Sequence, residues 1–362
     1  MNGAIISGAE SSRSFVAPRH NVPHVTRAST RTAHRNSPRV VTFVSRARPV
    51  RPFIRARKRK PFFVVSRNLV CASIVRPQSQ MPNLPFHPGV RVEWRTLPRV
   101  DKRYAVMWLG CEPVNSMTLE LWQAMSDTLD ALEADPNTSG LVFASELKKP
   151  IFTAGNDIKE LHAPSTSKSR YAKFWSTQTT FLCRLLRSPL ATACAIRGAC
   201  PAGGCAVALC CDYRVQSLEG TFGLNEVQLG IPVPKYWAKL FVNTSNHGPT
   251  AELALHRGTL LTPHEAKGMG LIHETVSTAA VLPATERAME TLLKLPDNAR
   301  AATKNNLREQ FSKEWEAFIG EEAREGWEML CEPEVENALG GVIKRLSSKG
   351  KSVAGSAPTA KL

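Results

Sequence analysis

The sequence predicts an α/β protein in which strands and helices alternate around a buried sheet. Three observations carry that prediction: short apolar runs of strand length, helix-period stretches between them, and small-residue turns where a run gives way to a helix-like segment. Val90–Trp94 and Ala105–Leu109 alternate or run apolar, and Pro98–Arg103 between them reads as a turn. From Leu119 to Leu132, the residues Leu121, Met125, Leu129 and Leu132 fall on one helix face. Leu141–Ser145 and Leu190–Ile196 read as buried strands, separated by the helix-like Tyr171–Leu186. A further helix starts at Thr262-Pro263-His264-Glu265-Ala266, with Thr262 as cap and proline at the first helical position. Pro283–Leu346 is helix-rich.

Charge divides the chain. Residues 1–80 hold 16 of the 47 lysines and arginines but one acid, Glu10, of 31, a net of +15. The remaining residues are almost neutral. An arginine- and serine-rich, acid-poor leader with short apolar patches such as Phe62–Val65 matches an organellar transit segment. The competing reading is a basic arm for nucleic acid, centred on Arg55–Lys60. A nucleic-acid face should leave its basic excess on the folded body, and the neutral body argues against it. The other end, residues 347–362, is small and polar, reads as a flexible tail, and finishes in Ala360-Lys361-Leu362, close to the Ser-Lys-Leu peroxisomal address. No window has the length and apolarity of a membrane span.

Two turns carry chemistry. Ile196-Arg-Gly-Ala-Cys-Pro-Ala-Gly-Gly204 follows an apolar run and opens onto the helix-like Cys205–Cys211. Phe152-Thr-Ala-Gly-Asn-Asp-Ile158 follows Leu141–Ala144 and precedes Lys159-Glu160-Leu161. Small residues at such junctions let backbone N–H groups face a ligand, aided by the positive end of the helix dipole. Two donors converging on one oxygen make an oxyanion hole. Glu226, in Gly223-Leu-Asn-Glu-Val-Gln-Leu-Gly230, is the candidate acid/base, and burial among Phe222, Leu224, Val227 and Leu229 would raise its pKa toward neutrality. Backbone donors beside one carboxylate are what enolate chemistry on a thioester requires.

These three segments, in this order, resemble the crotonase (enoyl-CoA hydratase/isomerase) superfamily. The wording Cys-Pro-Ala-Gly-Gly-Cys, then Cys-Asp-Tyr-Arg (211–214), then Gly-Leu-Asn-Glu is closest to its mitochondrial-type Δ3,Δ2-enoyl-CoA isomerase subgroup, and Pro113-Val-Asn-Ser116 is similar to it as well. The resemblance runs from about Val90 to about Leu346. It implies a crotonase-type ββα spiral with a C-terminal helical trimerisation region. It divides the chain into a basic segment 1–80, a spiral core 81–282 with the active site, a helical region 283–346 and the tail.

It also implies roles. Ala154 and Gly203 would give the oxyanion N–H groups, with Gly155, Asn156, Asp157 and Ile158 around the substrate, and Glu226 would be catalytic. Hydratases of the family place a second glutamate where this chain has Ala206, so the expectation is isomerisation of 3-enoyl-CoA to 2-trans-enoyl-CoA in β-oxidation. Hydratase and thioester-hydrolase readings, and an RNA-binding protein using the basic arm, stay open. The expected partners are an acyl-CoA and two further copies in a homotrimer, in mitochondria or a peroxisome-like organelle. No cofactor, metal, nucleic acid or membrane span is expected. The nine cysteines show no zinc-type spacing and read as buried small hydrophobes. Trp237 suits an acyl pocket and a packed core equally.

Overall fold

The computed structural model describes residues 84, 86–97 and 100–354, with side chains through Ser348, all within one unit spanning Ile74–Leu362. The basic segment 1–80 and the terminal Ala360-Lys361-Leu362 lie outside the described residues. Strands β1 (Val90–Leu97) and β2 (Lys102–Leu109) form an antiparallel hairpin, with Val90 opposite Leu109 and Leu97 opposite Lys102. Helix α1 (Leu119–Ala134) follows, capped by Thr118 Oγ1, which accepts from Leu121 N–H. It buries Leu121, Met125, Leu129 and Leu132 as one stripe. Next come β3 (Thr138–Ser145), the single turn α2 (Ile158–Leu161), α3 (Lys168–Arg187) and β4 (Ala191–Ile196).

A short β5 (Cys200–Pro201) leads into α4 (Ala202–Cys210), β6 (Tyr213–Ser217) and β7 (Phe222–Gly223). Helices α5 (Lys235–Thr244), α6 (Gly248–Arg257) and α7 (Pro263–Gly268) precede β8 (Glu274–Val276). Three helices close the described chain: α8 (Val281–Leu293), α9 (Asp297–Leu330) and α10 (Pro333–Ala354). Thr262 and Glu265 close a reciprocal capping box on α7, as the Thr-Pro-His-Glu run predicts. The stretch from Ser347, read as flexible tail, is helical to Ala354.

The main sheet runs β1-β2-β3-β4-β6-β8, parallel from β2 onward, with β5 and β7 forming a separate parallel pair. Helices cover both faces, which is why its strands read as unbroken apolar runs. Period-2 alternation sends Met107, Leu109, Phe143 and Ile196 to one core cluster with α1, α3 and α4. It sends Val106, Val142, Ala193 and Val215 to the other, beneath α8.

Helix α9 lies along α3 and is pinned by a buried ion pair. Lys304 Nζ stands 2.6 Å from Asp212 Oδ2 and donates to Leu190 O, while Arg308 reaches the same carboxylate at 2.9 Å. Among the described residues no helix is long and apolar enough to cross a membrane, and no group of three or more metal-ligating side chains occurs.

Candidate active site

Both small-residue turns leave the carboxyl ends of adjacent parallel strands, β3 and β4, where open α/β sheets present ligands. Gly155 stands at φ +86°, and a Cβ there would lie 2.8 Å from Ala202 Cβ and 3.6 Å from Gly203 N. The two turns therefore touch, and only a residue without a side chain lets them. A Cβ on Gly203 would come within 2.9 Å of Asn156 Oδ1. Ala202 itself is held at φ +50°, a left-handed conformation that alanine disfavours.

The first turn is locked from beneath by Asn115, fully buried and at φ +51°. Its Oδ1 accepts from Cys111 N–H at 2.7 Å, and its Nδ2 donates to Phe152 O at 2.9 Å and to Ser145 Oγ at 3.1 Å. Its carbonyl accepts from Thr153 Oγ1 at 2.6 Å. Sequence reasoning noted Asn115 as part of a motif but not as this anchor. An asparagine, a residue that tolerates the left-handed region, two positions after the φ-restricted Pro113 was the available signal.

That anchoring corrects one expectation. The N–H of Ala154 donates to Val114 O at 2.9 Å, so it is taken by the neighbouring backbone and does not face a ligand. Gly155 N–H is likewise taken, by Thr153 Oγ1 at 3.0 Å, and Asp157 N–H by Met117 O at 3.1 Å. Asn156 N–H and Gly203 N–H have no acceptor among the described residues. The side chain of Asn156 is spoken for: Oδ1 accepts from Trp122 Nε1 at 3.1 Å and Nδ2 donates to Gln178 Oε1 at 3.0 Å. Asp157 caps α2 by accepting from Lys159 N–H at 2.9 Å.

Glu226 opens a short 3-10 turn that ends at Gly230 in the left-handed region. It is 5% exposed, and neither carboxylate oxygen has a hydrogen-bond partner among the described residues. Burial raises its pKa from 4.5 to about 7, because the charged form loses its hydration and nothing replaces it. Phe222 and Leu224 are buried beneath it, whereas Val227, expected to help, is 37% exposed and turns away at the outer side of the short helix. Ala206, fully buried, occupies α4.

Ala154, Asn156, Asp157, Ile158 and Glu226 line a single cavity of about 930 Å³, with Gly155 and Gly203 immediately behind its wall. Trp237 does both things open to it: it lines this cavity and is 2% exposed, stacked on Trp175 at 6.2 Å. The far wall was not legible in the sequence. Tyr171 and Trp175 come from α3, Glu322 and Gly326 from α9, and Ile343 and Leu346 from α10. These pair residues more than a hundred positions apart, and no local pattern reports such pairing.

An α/β fold that brings free backbone donors and a desolvated carboxylate, Glu226, to one cavity defines an enzyme of the crotonase fold. The chain belongs to the enoyl-CoA hydratase/isomerase family, whose profile matches residues 105–336. It is 40% identical over 206 residues to the mitochondrial enoyl-CoA delta isomerase 1 of Mus musculus, covering 56% of this chain and 70% of that protein. The Homo sapiens protein of the same name is 37% identical over 206 residues, covering 56% and 67%. The crystal structure of human mitochondrial delta3-delta2-enoyl-CoA isomerase superposes with a TM-score of 0.67 at 32% identity, covering 72% of this chain and 99% of that one. An enoyl-CoA hydratase from Bacillus halodurans shares the fold at 20% identity, with a TM-score of 0.62 and coverage of 70% and 99%.

Proposed function

We propose that the chain is an enoyl-CoA isomerase that moves the double bond of a 3-enoyl-CoA to position 2. The observation that carries this is the solitude of Glu226: one buried carboxylate with both oxygens unpartnered, and Ala206 where a hydratase carries its second glutamate. Named relatives at 37–40% identity support the same reading.

The thioester oxygen sits between the N–H groups of Asn156 and Gly203. Glu226 removes a proton from C2, and the electron pair of that C–H bond becomes the C1=C2 bond of a dienolate while the C=O pair moves onto the oxygen, which carries the negative charge. The oxygen pair then re-forms C=O, the C1=C2 pair becomes the C2=C3 bond, and the C3=C4 pair takes the proton back from Glu226 at C4, giving the 2-enoyl thioester. Atoms and charge balance without a co-reactant or a metal ion. Donors fixed in place before the charge develops are worth about 2.7–4 kcal/mol of barrier each. A base near neutrality in pKa suits a proton that is only weakly acidic. Water activation needs two carboxylates, and one cannot serve both ends of an added water molecule.

A homotrimer and a mitochondrial address in residues 1–80 belong to the same proposal. The test is incubation of the purified chain with 3-cis- and 3-trans-enoyl-CoA and, separately, with 2-trans-enoyl-CoA. The expected product from the first two is 2-trans-enoyl-CoA, with hydration at least ~10²-fold slower, the scale of one acid–base group. Rapid build-up of 3-hydroxyacyl-CoA refutes the isomerase assignment.

A further inference from the structure

The far wall of the cavity holds a polar pair that the proton transfer does not use. Tyr171 is 2% exposed, its ring packed against Trp175 and Trp327 at 5.8 Å each, yet its hydroxyl has no hydrogen-bond partner among the described residues. Glu322 Oε2 accepts from Trp175 Nε1 at 3.0 Å, while its Oε1 is buried with no partner among the described residues. Burial holds this carboxyl above its ordinary range, and its charge in turn helps to push the Tyr171 phenol upward.

Gly326, one helical turn after Glu322, shows that the hydroxyl's place is built for it. A Cβ there would stand 2.2 Å from Tyr171 Oη. Glycine is disfavoured inside a long helix, and α9 carries one where the hydroxyl needs the room. Leaving the buried Glu322 Oε1 unpaired is unfavourable, and beside it on the cavity lining stands the Tyr171 hydroxyl, itself without a partner among the described residues. A group that both donates and accepts completes this wall, since a carboxylate oxygen accepts and the phenol hydroxyl can donate. A hydroxyl does both: it donates to Glu322 Oε1 and accepts from Tyr171 Oη.

The pantetheine arm of CoA is not that group, because it must run outward to a solvated nucleotide. Tyr171, Trp175 and Trp237, at 2%, 7% and 2% exposure, are among the most buried residues that line the cavity. We propose that the cavity takes unsaturated acyl-CoAs bearing a hydroxyl group on the acyl chain, held between Tyr171 Oη and Glu322 Oε1. This rests on the site being an acyl-CoA site, as proposed above.

The test is calorimetric titration of the full chain with a saturated acyl-CoA and with a series carrying one hydroxyl at successive carbons beyond C4. Saturated ligands require no turnover, so binding is read apart from isomerisation. One hydroxyl position is expected to bind about tenfold more tightly than the plain chain, equivalent to ~1.4 kcal/mol. Tyr171→Phe, which keeps the ring, is expected to erase that gain. Two results overturn the proposal: plain acyl-CoA binds and no hydroxylated ligand binds more tightly, as when only water occupies the pair, or the gain survives in Tyr171→Phe. If plain acyl-CoA itself does not bind, the acyl-CoA reading of the site fails first.

Discussion

Replacing Glu226 with glutamine should abolish catalysis and stabilise the protein at the same time, with the second effect growing as pH rises from about 4.5 to 7 and complete above neutrality. The folded state holds the Glu226 proton up to about pH 7, whereas an exposed glutamate releases it near 4.5. A carboxyl whose pKa is raised by folding contributes stability that is fully present below the unfolded value and is lost as pH rises through the folded one. The gap corresponds to roughly 3 kcal/mol of stability lost between pH 4.5 and pH 8. Glutamine fills the same volume without a charge to bury, so the Glu226→Gln variant does not suffer that loss.

Denaturant unfolding of both proteins at pH 5 and pH 8.5 measures it. The difference between variant and wild type should move by roughly 3 kcal/mol in the variant's favour. Taking that difference removes other groups that titrate in the window, such as His273, whose pKa is lowered to about 4, chiefly by desolvation. Turnover should fall at least ~10²-fold in the variant, and wild-type kcat/KM should rise with pH through about 7 as the base is freed. Parallel stability profiles, or near-normal isomerisation by the variant, would refute the argument that this carboxyl is both desolvated and the base.

Three further outcomes are expected. Gly155→Ala strains a left-handed residue and drives a methyl 2.8 Å from Ala202 Cβ, parting the two donor turns; kcat should fall more than tenfold while stability drops by only about 1–3 kcal/mol, as read by steady-state kinetics beside thermal melts. Asp212→Asn leaves Lys304 buried without its counter-charge, and chemical denaturation should show a loss of about 3–5 kcal/mol. Residues 1–80 fused to a fluorescent reporter should carry it to mitochondria, and a nuclear signal in microscopy would favour the nucleic-acid reading instead.

The sequence showed the sheet and the position of the buried carboxylate because those depend on local pattern. Apolar runs such as Leu141–Ser145 appear as strand β3, and Glu226 follows at a set distance from a turn whose shape small residues dictate. It misplaced a donor by two residues. Ala154 and Asn156 sit in the same small-residue turn, and only the path of Val114, from another segment, decides which N–H is free. The aromatic and acidic wall was invisible for the same reason on a larger scale. Tyr171 reads as the start of an amphipathic helix, and nothing near it announces that Gly326 makes room for its hydroxyl.

The two halves of this site answer differently to substitution. Glu226 is a side chain, and trimming it removes the base. The donors at Asn156 and Gly203 are peptide groups placed by the spacing of two neighbouring strands, and every residue but proline supplies the same N–H. An alanine scan would thus find half of the active site and pass over the rest. At Asn156 it would report the loss of the Trp122 and Gln178 contacts, and at Gly203 a collision with Asn156 Oδ1. In a lineage accumulating point changes, the carboxylate is free to be lost, moved or joined by another, while the paired N–H groups persist in whatever sequence keeps the strands side by side.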